Sequence, residues 1–463
     1  MSAVIADSPA AEAAARRLDL LARFDGRAPR YTSYPTALQF SAEVDAEVYG
    51  RWLGALDPAE PVSLYAHIPF CDRLCWYCGC NTRAVRKRAL ISEYVDRLLD
   101  ELALVEAKLS GRLPVGAVHL GGGTPNMLSP DDLELMFQGF RRVFDIGKGA
   151  EIAAELDPSL LSPEWAQAAA AQGLNRASVG VQCLSPQVQA AVNRIEPFSV
   201  VEQAVGWLRD AGVGSINFDL MYGLPKQQVE DVEDTLEQVL ALRPDRIAMF
   251  GYAHVPWAKA HQKLIDAADL ADAAGRLAQS EAAAAVLAAH GYVRIGLDHY
   301  ALPQDALAQG LAAGTLRRNF QGYTTDPHPT LIGLGASAIG RLPQGYAQNV
   351  PEELAWRTAV GQGRLPVRRG VALTDDDRFR AELIERLMCD MRLDMAAACA
   401  RHGCSPSVLQ PERARLRQMA EEGILTLDGD RIALTETGRP FVRVVARIFD
   451  QRSGIEDAFS RVV

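Results

Sequence analysis

The most constraining feature of this sequence is a regular alternation of short apolar runs with amphipathic stretches of helical length. From about residue 60, runs such as SLYAHI, GAVHLGG, EIAAEL and RASVGVQ are separated by stretches such as ISEYVDRLLDELALVEAKL and SPDDLELMFQGFRRVF. Alternating strands and helices predict a parallel sheet with right-handed crossovers. Since roughly six such units are visible, too few for eight strands, we expect an α/β fold with an open, partial (β/α)6 barrel of TIM-like form.

The alternation does not extend to either end of the chain. Near the N-terminus, the segment PRYTSYPTALQF predicts an irregular arm whose tyrosines pack onto another part of the protein. Near the C-terminus, two helical stretches, a hairpin and a further helix are typical of a winged-helix-like module. We therefore expect an arm (1–55), the partial barrel with its extension (56–365) and a mostly helical C-terminal domain (366–463).

Composition limits the partners that this chain can have. The 463 residues carry a formal net charge of −10, which argues against nucleic acid as a partner. The winged-helix-like region is therefore interpreted as a structural cap. No apolar run reaches the length of a membrane span, and the first residues lack the pattern of a secretory signal. We expect a cytoplasmic protein without a membrane partner.

Half of the eight cysteines lie close together in the stretch HIPFCDRLCWYCGCN. Cys71, Cys75 and Cys78 are spaced Cys-x-x-x-Cys-x-x-Cys and follow the first predicted strand directly. A cluster of four irons normally takes four thiolates, so three ligands leave one iron open to a reacting molecule. We predict a 4Fe-4S cluster on these cysteines, whose open iron binds S-adenosylmethionine and whose electron releases a deoxyadenosyl radical.

Other uses of these cysteines stay open on the residues alone. A structural zinc site usually needs a second Cys-x-x-Cys pair or histidines at fixed spacing, and the sequence has no such pair. A redox dithiol would need only one Cys-x-x-Cys. Cys80 could also form a Cys-x-Cys pair. The position after the first strand favours an active site, because barrel active sites lie at the carboxyl ends of strands.

The later strands also end in glycines or polar side chains, as expected around such a site. The second predicted strand ends in the run GGGTP, where glycines let the backbone approach a ligand closely. The following strands end at or beside Glu155, Gln182, Asp219 and His254. Each could be an ordinary structural polar group, but together they would surround one face of the barrel.

Longer motifs identify a family that the chain resembles. The segments RYTSYPTA, LYAHIPFCDRLCWYCGCN, GGGTPN, NFDLMYGLPKQ, NFQGYTT and GASAI are similar to those of the oxygen-independent coproporphyrinogen III oxidases, which are radical S-adenosylmethionine enzymes. The similarity extends from the arm to the closing FSRVV. It implies oxidative decarboxylation of two propionates of coproporphyrinogen III to vinyl groups, giving protoporphyrinogen IX. It also implies a monomer and a reduced flavodoxin- or ferredoxin-type electron donor.

The resemblance assigns roles to single positions. Cys71, Cys75 and Cys78 would hold the cluster, and Cys80 matches a further cysteine that is required without being a ligand. The S-adenosylmethionine on the cluster would contact Tyr65, Gly122, Glu155 and Ile339. A second S-adenosylmethionine would contact Tyr77, Gly123, Thr124, Gln182, Arg194, Asp219 and Ala253. The implied catalytic set is Tyr65, His67, Cys80, Glu155, Phe320 and Gln321.

The sequence departs from the family pattern at a few positions. Cys183 and Leu184 stand where Asp-Phe is usual, Leu120 replaces a common Trp, and Gly251 replaces a common Asn. Cys183 is the departure that matters, because a carboxylate is lost beside Gln182 of the expected second cofactor site.

Related functions are the alternatives to this interpretation. A haem-binding chaperone would typically lack the RYTSYPTA arm and have Phe in place of Cys80. A radical methyltransferase, a haem-degrading enzyme and a structural iron-sulfur or zinc protein are the others. For the substrate propionates, the candidate ligands are Arg30 in the arm, Arg317 and Arg318. We expect the arm to fold over the active site and close it.

Overall fold

The structure is a computed structural model that describes residues 9–24 and 26–452. Its strands are β1 (Val62–Ile68), β2 (Phe70–Cys71), β3 (Arg83–Ala84), β4 (Pro114–Gly122), β5 (Asp145–Leu156), β6 (Arg176–Gln182), β7 (Ser215–Tyr222), β8 (Arg246–Gly251), β9 (Val293–Ile295), β10 (His299–Ala301), β11 (Arg317–Asn319), β12 (Gly322–Thr324), β13 (Leu331–Leu334), β14 (Ile339–Leu342), β15 (Gly345–Asn349), β16 (Val367–Ala372), β17 (Arg392–Asp394), β18 (Leu425–Asp428) and β19 (Arg431–Leu434).

The helices alternate with the strands through the first half of the chain and dominate its C-terminal part. They are α1 (Pro9–Phe24), α2 (Ala46–Gly54), α3 (Ala89–Glu106), α4 (Pro130–Val143), α5 (Pro163–Ala171), α6 (Pro186–Ala191), α7 (Phe198–Asp210), α8 (Val229–Leu240), α9 (Ala273–Ala289), α10 (Ala306–Ala313), α11 (Glu353–Gly361), α12 (Asp375–Asp390), α13 (Met395–Arg401), α14 (Gln410–Glu421) and α15 (Val442–Arg447).

The main sheet has twelve strands in the order β16-β15-β14-β13-β1-β4-β5-β6-β7-β8-β10-β9. The seven strands from β13 to β8 pair in parallel and form the expected partial barrel. Antiparallel strands extend this barrel at both edges. The run YVRIGL forms only the short antiparallel edge strand β9, because β10 pairs between it and β8.

Local sequence explains where the barrel helices begin. Ser129 accepts a hydrogen bond from the amide of Asp132, the side chain of Asp132 accepts one from the Ser129 amide, and Pro130 occupies the first helical turn. Ser162 caps α5 in the same way through the amide of Trp165. Such caps satisfy amide groups that the first turn cannot bond internally. They fix the helix starts just beyond the carboxyl ends of the strands.

Two hydrophobic cores hold the chain together. The larger core lies between the sheet and its helices and includes the fully buried Phe137 and Phe218. The second core is formed by the C-terminal helices, the small sheet β17-β19-β18, helix α1 and the arm. Tyr31 and Tyr34 of the arm are buried in it, and the Tyr31 hydroxyl donates to Asp450 at 3.0 Å. The arm therefore packs onto the C-terminal part, as its tyrosines predicted.

The division at residues 55 and 365 stays a prediction, although the arm and the C-terminal part share one core. The closing FSRVV lies outside the described residues. Within the described ranges, none of the helices combines the length and the apolar character that a bilayer crossing requires.

Candidate active site at the carboxyl ends of the strands

The cysteine loop, residues 72–82, leaves the barrel directly after β1. Its two ends are joined because β2 and β3 pair in parallel, with Cys71 opposite Ala84. The amide of Cys78 donates to the carbonyl of Cys75 at 3.1 Å, which turns the loop back on itself. As a result, Cys71, Cys75 and Cys78 line one cavity of about 210 Å³.

Each of the three sulfurs has a hydrogen-bond donor near it. The hydroxyl of Thr124 donates to the Cys71 sulfur at 3.4 Å, and the Cys80 amide donates to the Cys78 sulfur at 3.4 Å. The guanidinium of Arg194 lies 3.6 Å from the Cys75 sulfur. Hydrogen bonds from the Cys80 side chain and amide lower the pKa of Cys78 to about 6, although burial opposes them. Donors of this kind stabilise thiolates, the form that binds iron.

These three cysteines fit an iron-sulfur cluster better than a single ion. Among the described residues, no three His, Cys, Asp or Glu side chains converge closely enough to hold one metal ion. The three cysteines instead line a shared cavity, and Gly122 and Gly123 of the glycine run form another part of its wall. Three cysteine side chains around one cavity, each with a hydrogen-bond donor near its sulfur, fit the ligand set of a cluster with an open iron.

The glycine run is required by close packing as well as by its place in the cavity wall. A Cβ atom at Gly123 would lie 2.5 Å from the carbonyl oxygen of Phe70. At Gly122, where φ is +109°, a Cβ atom would lie 2.5 Å from the His67 ring. Any side chain at these glycines would push the end of β4 away from β1 and the cysteine loop.

Glu155, at the end of β5, is held by two hydrogen bonds. His119 donates to one carboxylate oxygen at 3.1 Å, and the amide of Gly122 donates to the other at 3.0 Å. Burial alone would raise the pKa of Glu155, but these hydrogen bonds hold it below its usual value. The result is a half-buried carboxylate that stays ionised beside the glycine wall of the cavity.

Tyr65 and His67 form a chain of hydrogen bonds on β1. The Nε2 atom of His67 lies 2.8 Å from the carbonyl of Asn81, so it must carry the proton. Burial lowers the pKa of His67, which keeps the ring neutral. Its Nδ1 atom therefore accepts from the Tyr65 hydroxyl at 3.0 Å. The Tyr65 ring also stacks on His119, with 5.9 Å between ring centroids.

Arg194 and Asp219 complete the polar lining on the other side of the cavity. Arg194 donates to the Gly180 carbonyl at 2.7 Å and forms ion pairs with Asp157 and Glu196 at 3.5 Å and 3.1 Å. Asp219 accepts from the Ser178 hydroxyl at 2.8 Å. Burial, together with the charge of Glu155, raises the pKa of Asp219 to about 6.

The cavity brings together most of the residues to which the resemblance gave roles. Its lining includes Cys71, Cys75, Tyr77, Cys78, Cys80, Gly122, Gly123, Thr124, Glu155, Gln182, Arg194 and Asp219. A second cavity of about 270 Å³ lies in the barrel interior and is lined by Gln321 and Phe250 among others. Cys80, Glu155 and Asp219 line both cavities, so they stand between the cysteines and the barrel interior.

Five of the expected site residues do not line either cavity. Tyr65 and His67 lie on β1 in the hydrogen-bond chain described above, with the His67 ring next to Gly122. Ala253 accepts at its carbonyl from Gln262 at 3.3 Å. Phe320 and Ile339 pack with Phe40 of the arm in a separate apolar cluster.

Cys183 does not enter the cofactor cavity either. Its side chain is buried in an apolar cluster, with its sulfur 3.7 Å from the hydroxyl of Thr235. A register shift between Gly180 and Gln182, together with a φ of +66° at Gln182, turns Gln182 into the cavity and Cys183 away from it. A carboxylate at position 183, which is usual in the family, would therefore lie behind the end of β6 and outside the cavity lining.

Sequence reasoning missed His119, which holds Glu155. Its signal was weak, because a single histidine inside an apolar run is usually satisfied within the core. Only the pairing of β4 with β5 brings His119 and Glu155 onto the same face.

Comparisons with known proteins agree with this geometry. The Radical SAM superfamily model matches residues 65–239, and the HemN C-terminal domain model matches residues 373–441. The oxygen-independent coproporphyrinogen III oxidase of Bradyrhizobium diazoefficiens is 47% identical over 435 residues, covering 94% of this chain and 97% of that protein. An anaerobic coproporphyrinogen III oxidase of Cereibacter sphaeroides is 42% identical, covering 96% and 98%.

One solved structure is similar over nearly the whole fold. The coproporphyrinogen III oxidase HemN from Escherichia coli, described as a radical SAM enzyme, superposes with a TM-score of 0.88 at 35% identity. The superposition covers 94% of this chain and 99% of that one. It therefore includes the barrel, its antiparallel extensions and the C-terminal part.

Proposed function

The chain belongs to the oxygen-independent coproporphyrinogen III oxidase family, and from this membership we propose how its own residues serve the family's reaction. It is a radical S-adenosylmethionine oxidoreductase of porphyrin and haem biosynthesis, with a 4Fe-4S cluster and S-adenosylmethionine as cofactors. Its substrate is coproporphyrinogen III, whose two propionates become the vinyl groups of protoporphyrinogen IX, and it requires a reductant.

The observation that carries the proposal is the single cavity shared by three cysteines, the glycine wall and Glu155. Cys71, Cys75 and Cys78 would hold the cluster, which with S-adenosylmethionine supplies the one-electron chemistry that starts hydrogen abstraction. Arg194 would support the Cys75 sulfur as a cluster ligand through their contact at 3.6 Å. The ionised Glu155 is placed to accept hydrogen bonds from the ammonium group of the methionine moiety.

We also propose that a second S-adenosylmethionine occupies the part of the cavity lined by Tyr77, Gln182, Arg194 and Asp219. Support comes from the polar character of this lining and from its continuity with the cysteines. Cys80 and Gln321 would then face the substrate from the barrel side, since both line the interior cavity. We further propose that the enzyme is monomeric and cytoplasmic and that a flavodoxin- or ferredoxin-type protein reduces it.

Arg30 is the arginine that the structure favours as a ligand for a substrate propionate. It lies at the carboxyl end of β8, where its guanidinium donates to the Gly251 carbonyl at 2.7 Å. It lines a small cavity with Arg276, Arg443 and Asp298, so a substrate carboxylate would meet several positive charges and one negative charge there. Arg318 is buried beside Asp298 and donates to the carbonyl of Arg30 at 3.3 Å, which suits it to positioning Arg30.

Substituting Arg30→Gln is expected to raise the KM for coproporphyrinogen III at least about 10-fold, because a hydrogen bond to a charged group contributes about 1.5–3 kcal/mol. Cleavage of S-adenosylmethionine without substrate should continue at the parent rate. The matched control is Arg51→Gln, an exposed arginine on α2. Steady-state kinetics under anaerobic conditions measure the effect, and an unchanged KM would remove Arg30 from the substrate site.

Anaerobic turnover tests the function as a whole. Reconstituted protein is mixed with coproporphyrinogen III, S-adenosylmethionine and a reductant, and the oxidised products are separated by porphyrin chromatography. We expect protoporphyrin IX, formed together with deoxyadenosine, methionine and carbon dioxide. Formation of deoxyadenosine with no loss of coproporphyrinogen would show that the substrate is a different molecule.

A further inference from the structure

Two segments that are far apart in sequence form hydrogen bonds to backbone carbonyls of the cysteine loop. In the segment 192–195, the side chain of Asn193 donates to the Leu74 carbonyl at 3.0 Å. In the segment 259–264, the His261 ring lies 2.7 Å from the Cys78 carbonyl. Both segments therefore lie directly against the loop that carries the cluster ligands.

A third segment, residues 351–354, holds the end of the same loop. The side chain of Asn81 donates to the Pro351 carbonyl at 2.9 Å, and Arg83 forms an ion pair with Glu353 at 2.5 Å. The three segments thus contact the loop from one end to the other.

Each of these segments carries a large apolar side chain that faces solvent. Leu354 is 79% exposed, Ile195 is 71% exposed and Leu264 is 60% exposed. These are the three highest values among the exposed large apolar side chains of the described residues. Single exposed apolar residues are ordinary, but three on the segments that surround one functional loop indicate an interaction surface.

The same region is basic in a chain that is acidic as a whole. Residues 72–88 contain five arginine and lysine side chains but one acidic one, Asp72, while the chain has a net charge of −10. Segment 259–264 adds Lys259 and Lys263, segment 192–195 adds Arg194, and segment 351–354 adds Glu352 and Glu353, so the four segments together carry a net charge of +5. Within the described part of the chain, exposed Arg86, Lys87 and Lys263 form no ion pair or side-chain hydrogen bond. Their charges are free to attract an anionic partner.

We propose that Ile195, Leu264, Leu354, Arg86, Lys87 and Lys263 form a docking surface for an acidic protein that carries a one-electron redox cofactor. The inference rests on the proposed function, because that function requires a reductant. One electron leaves the reduced cofactor of the carrier and enters the oxidised cluster, with no transfer of a proton or group. The basic side chains steer the acidic carrier, and the apolar side chains provide contact area at the centre.

Oxidised flavodoxin, a small acidic flavoprotein, is the probe for binding. Its affinity for the reconstituted enzyme is measured by titration calorimetry at low salt, so that the readout does not depend on turnover. The double variant Arg86→Glu/Lys87→Glu should bind flavodoxin about 10-fold more weakly than the parent, because steering charges change association by factors of 10 or more. Leu264→Ser should also weaken binding, and the charge effect should shrink at about 1 M salt.

Two control variants match these changes at distant positions. Lys148→Glu reverses an exposed charge at the opposite, amino-terminal end of the parallel strands. Leu135→Ser removes an exposed leucine on α4. Both controls should bind flavodoxin as the parent does. Equal weakening by Lys148→Glu, or unchanged binding by the double variant and by Leu264→Ser, would overturn the docking surface.

Reduction kinetics separate this inference from the proposed function. Photoreduced 5-deazaflavin, a small reductant that needs no docking surface, should support cluster reduction and turnover equally in parent and double variant. Reduction by flavodoxin hydroquinone, followed by stopped-flow absorbance, should be slowed about 10-fold in the double variant alone. Failure of the parent with deazaflavin would count against the proposed function. Slow reduction of the double variant by both reductants would overturn the docking surface.

Discussion

Serine in place of Cys71, Cys75 or Cys78 is expected to abolish iron binding and S-adenosylmethionine cleavage together. All three sulfurs line one cavity, and each has its own hydrogen-bond donor, so the loss of one removes a ligand that no neighbouring side chain replaces. Deoxyadenosine formation should fall by at least about 100-fold. Changing a residue that only supports a metal ligand already lowers metal affinity or activity by about 10- to 100-fold, and here the ligand itself is lost. Iron content and liquid chromatography of deoxyadenosine measure the two effects.

Cys80 provides the sharpest comparison for these variants. Its amide donates to the Cys78 sulfur, and its side chain lines both the cofactor cavity and the barrel interior. Cys80→Ser should therefore keep about four irons per chain while it lowers conversion of coproporphyrinogen III. Cys404→Ser, in the C-terminal part, should change neither property. A Cys80→Ser protein that loses iron as readily as Cys75→Ser would make Cys80 a ligand.

The barrel was predictable because its signals are local. Each barrel strand from β1 to β8 along the sheet (β1, β4, β5, β6, β7 and β8) contains an apolar run, and the serine-proline pairs mark where α4 and α5 begin. The antiparallel strands β14 to β16 were not predicted, since their residues alternate only partly and their pairing is set by distant contacts. Ser41 of the arm even bridges to Gly370 at this edge, a contact that no local pattern encodes.

The candidate site shows the same division between local and distant information. The cysteine spacing is local, and it predicted the loop. Glu101 has the appearance of an ordinary charged residue on an amphipathic helix, yet it is buried and accepts hydrogen bonds from Gly335, Asn349 and Trp356. It therefore anchors the GASAI turn, whose residues are more than 230 positions away. Burial of a charged side chain depends on such partners, and periodicity does not reveal them.

The position of Cys183 also required the structure. Alternation along a strand places neighbours on opposite faces, but it does not say which of Gln182 and Cys183 faces the cavity. What the sequence did not show is the bulge at Gln182, which decides which of the two faces the cavity. The departure from the family pattern at Cys183 consequently changes packing against Thr235, while Gln182 keeps its place in the lining.

Glu155→Gln is expected to weaken S-adenosylmethionine binding by roughly 10- to 100-fold. The carboxylate accepts from His119 and from the Gly122 amide, so both of its oxygens are fixed and its charge faces the glycine wall. Glutamine keeps the size but loses the charge, and its amide group must face one of the two donors. A hydrogen bond to a charged group contributes about 1.5–3 kcal/mol, which gives the expected range. Equilibrium dialysis with radiolabelled S-adenosylmethionine on the reconstituted protein measures the affinity.

The partners of Glu155 distinguish a direct role from a structural one. His119→Phe removes one donor but leaves the carboxylate, so it should weaken binding several-fold less than Glu155→Gln. Glu412→Gln, which removes a buried carboxylate paired with Arg380 at 3.0 Å in the C-terminal part, should leave the affinity unchanged. Because its hydrogen bonds hold the pKa of Glu155 below its usual value, the carboxylate should stay ionised from about pH 6 to 8, so its own contribution to the affinity should be constant over that range. A Glu155→Gln protein with parent affinity and intact iron would remove Glu155 from the cofactor site, whatever its effect on turnover.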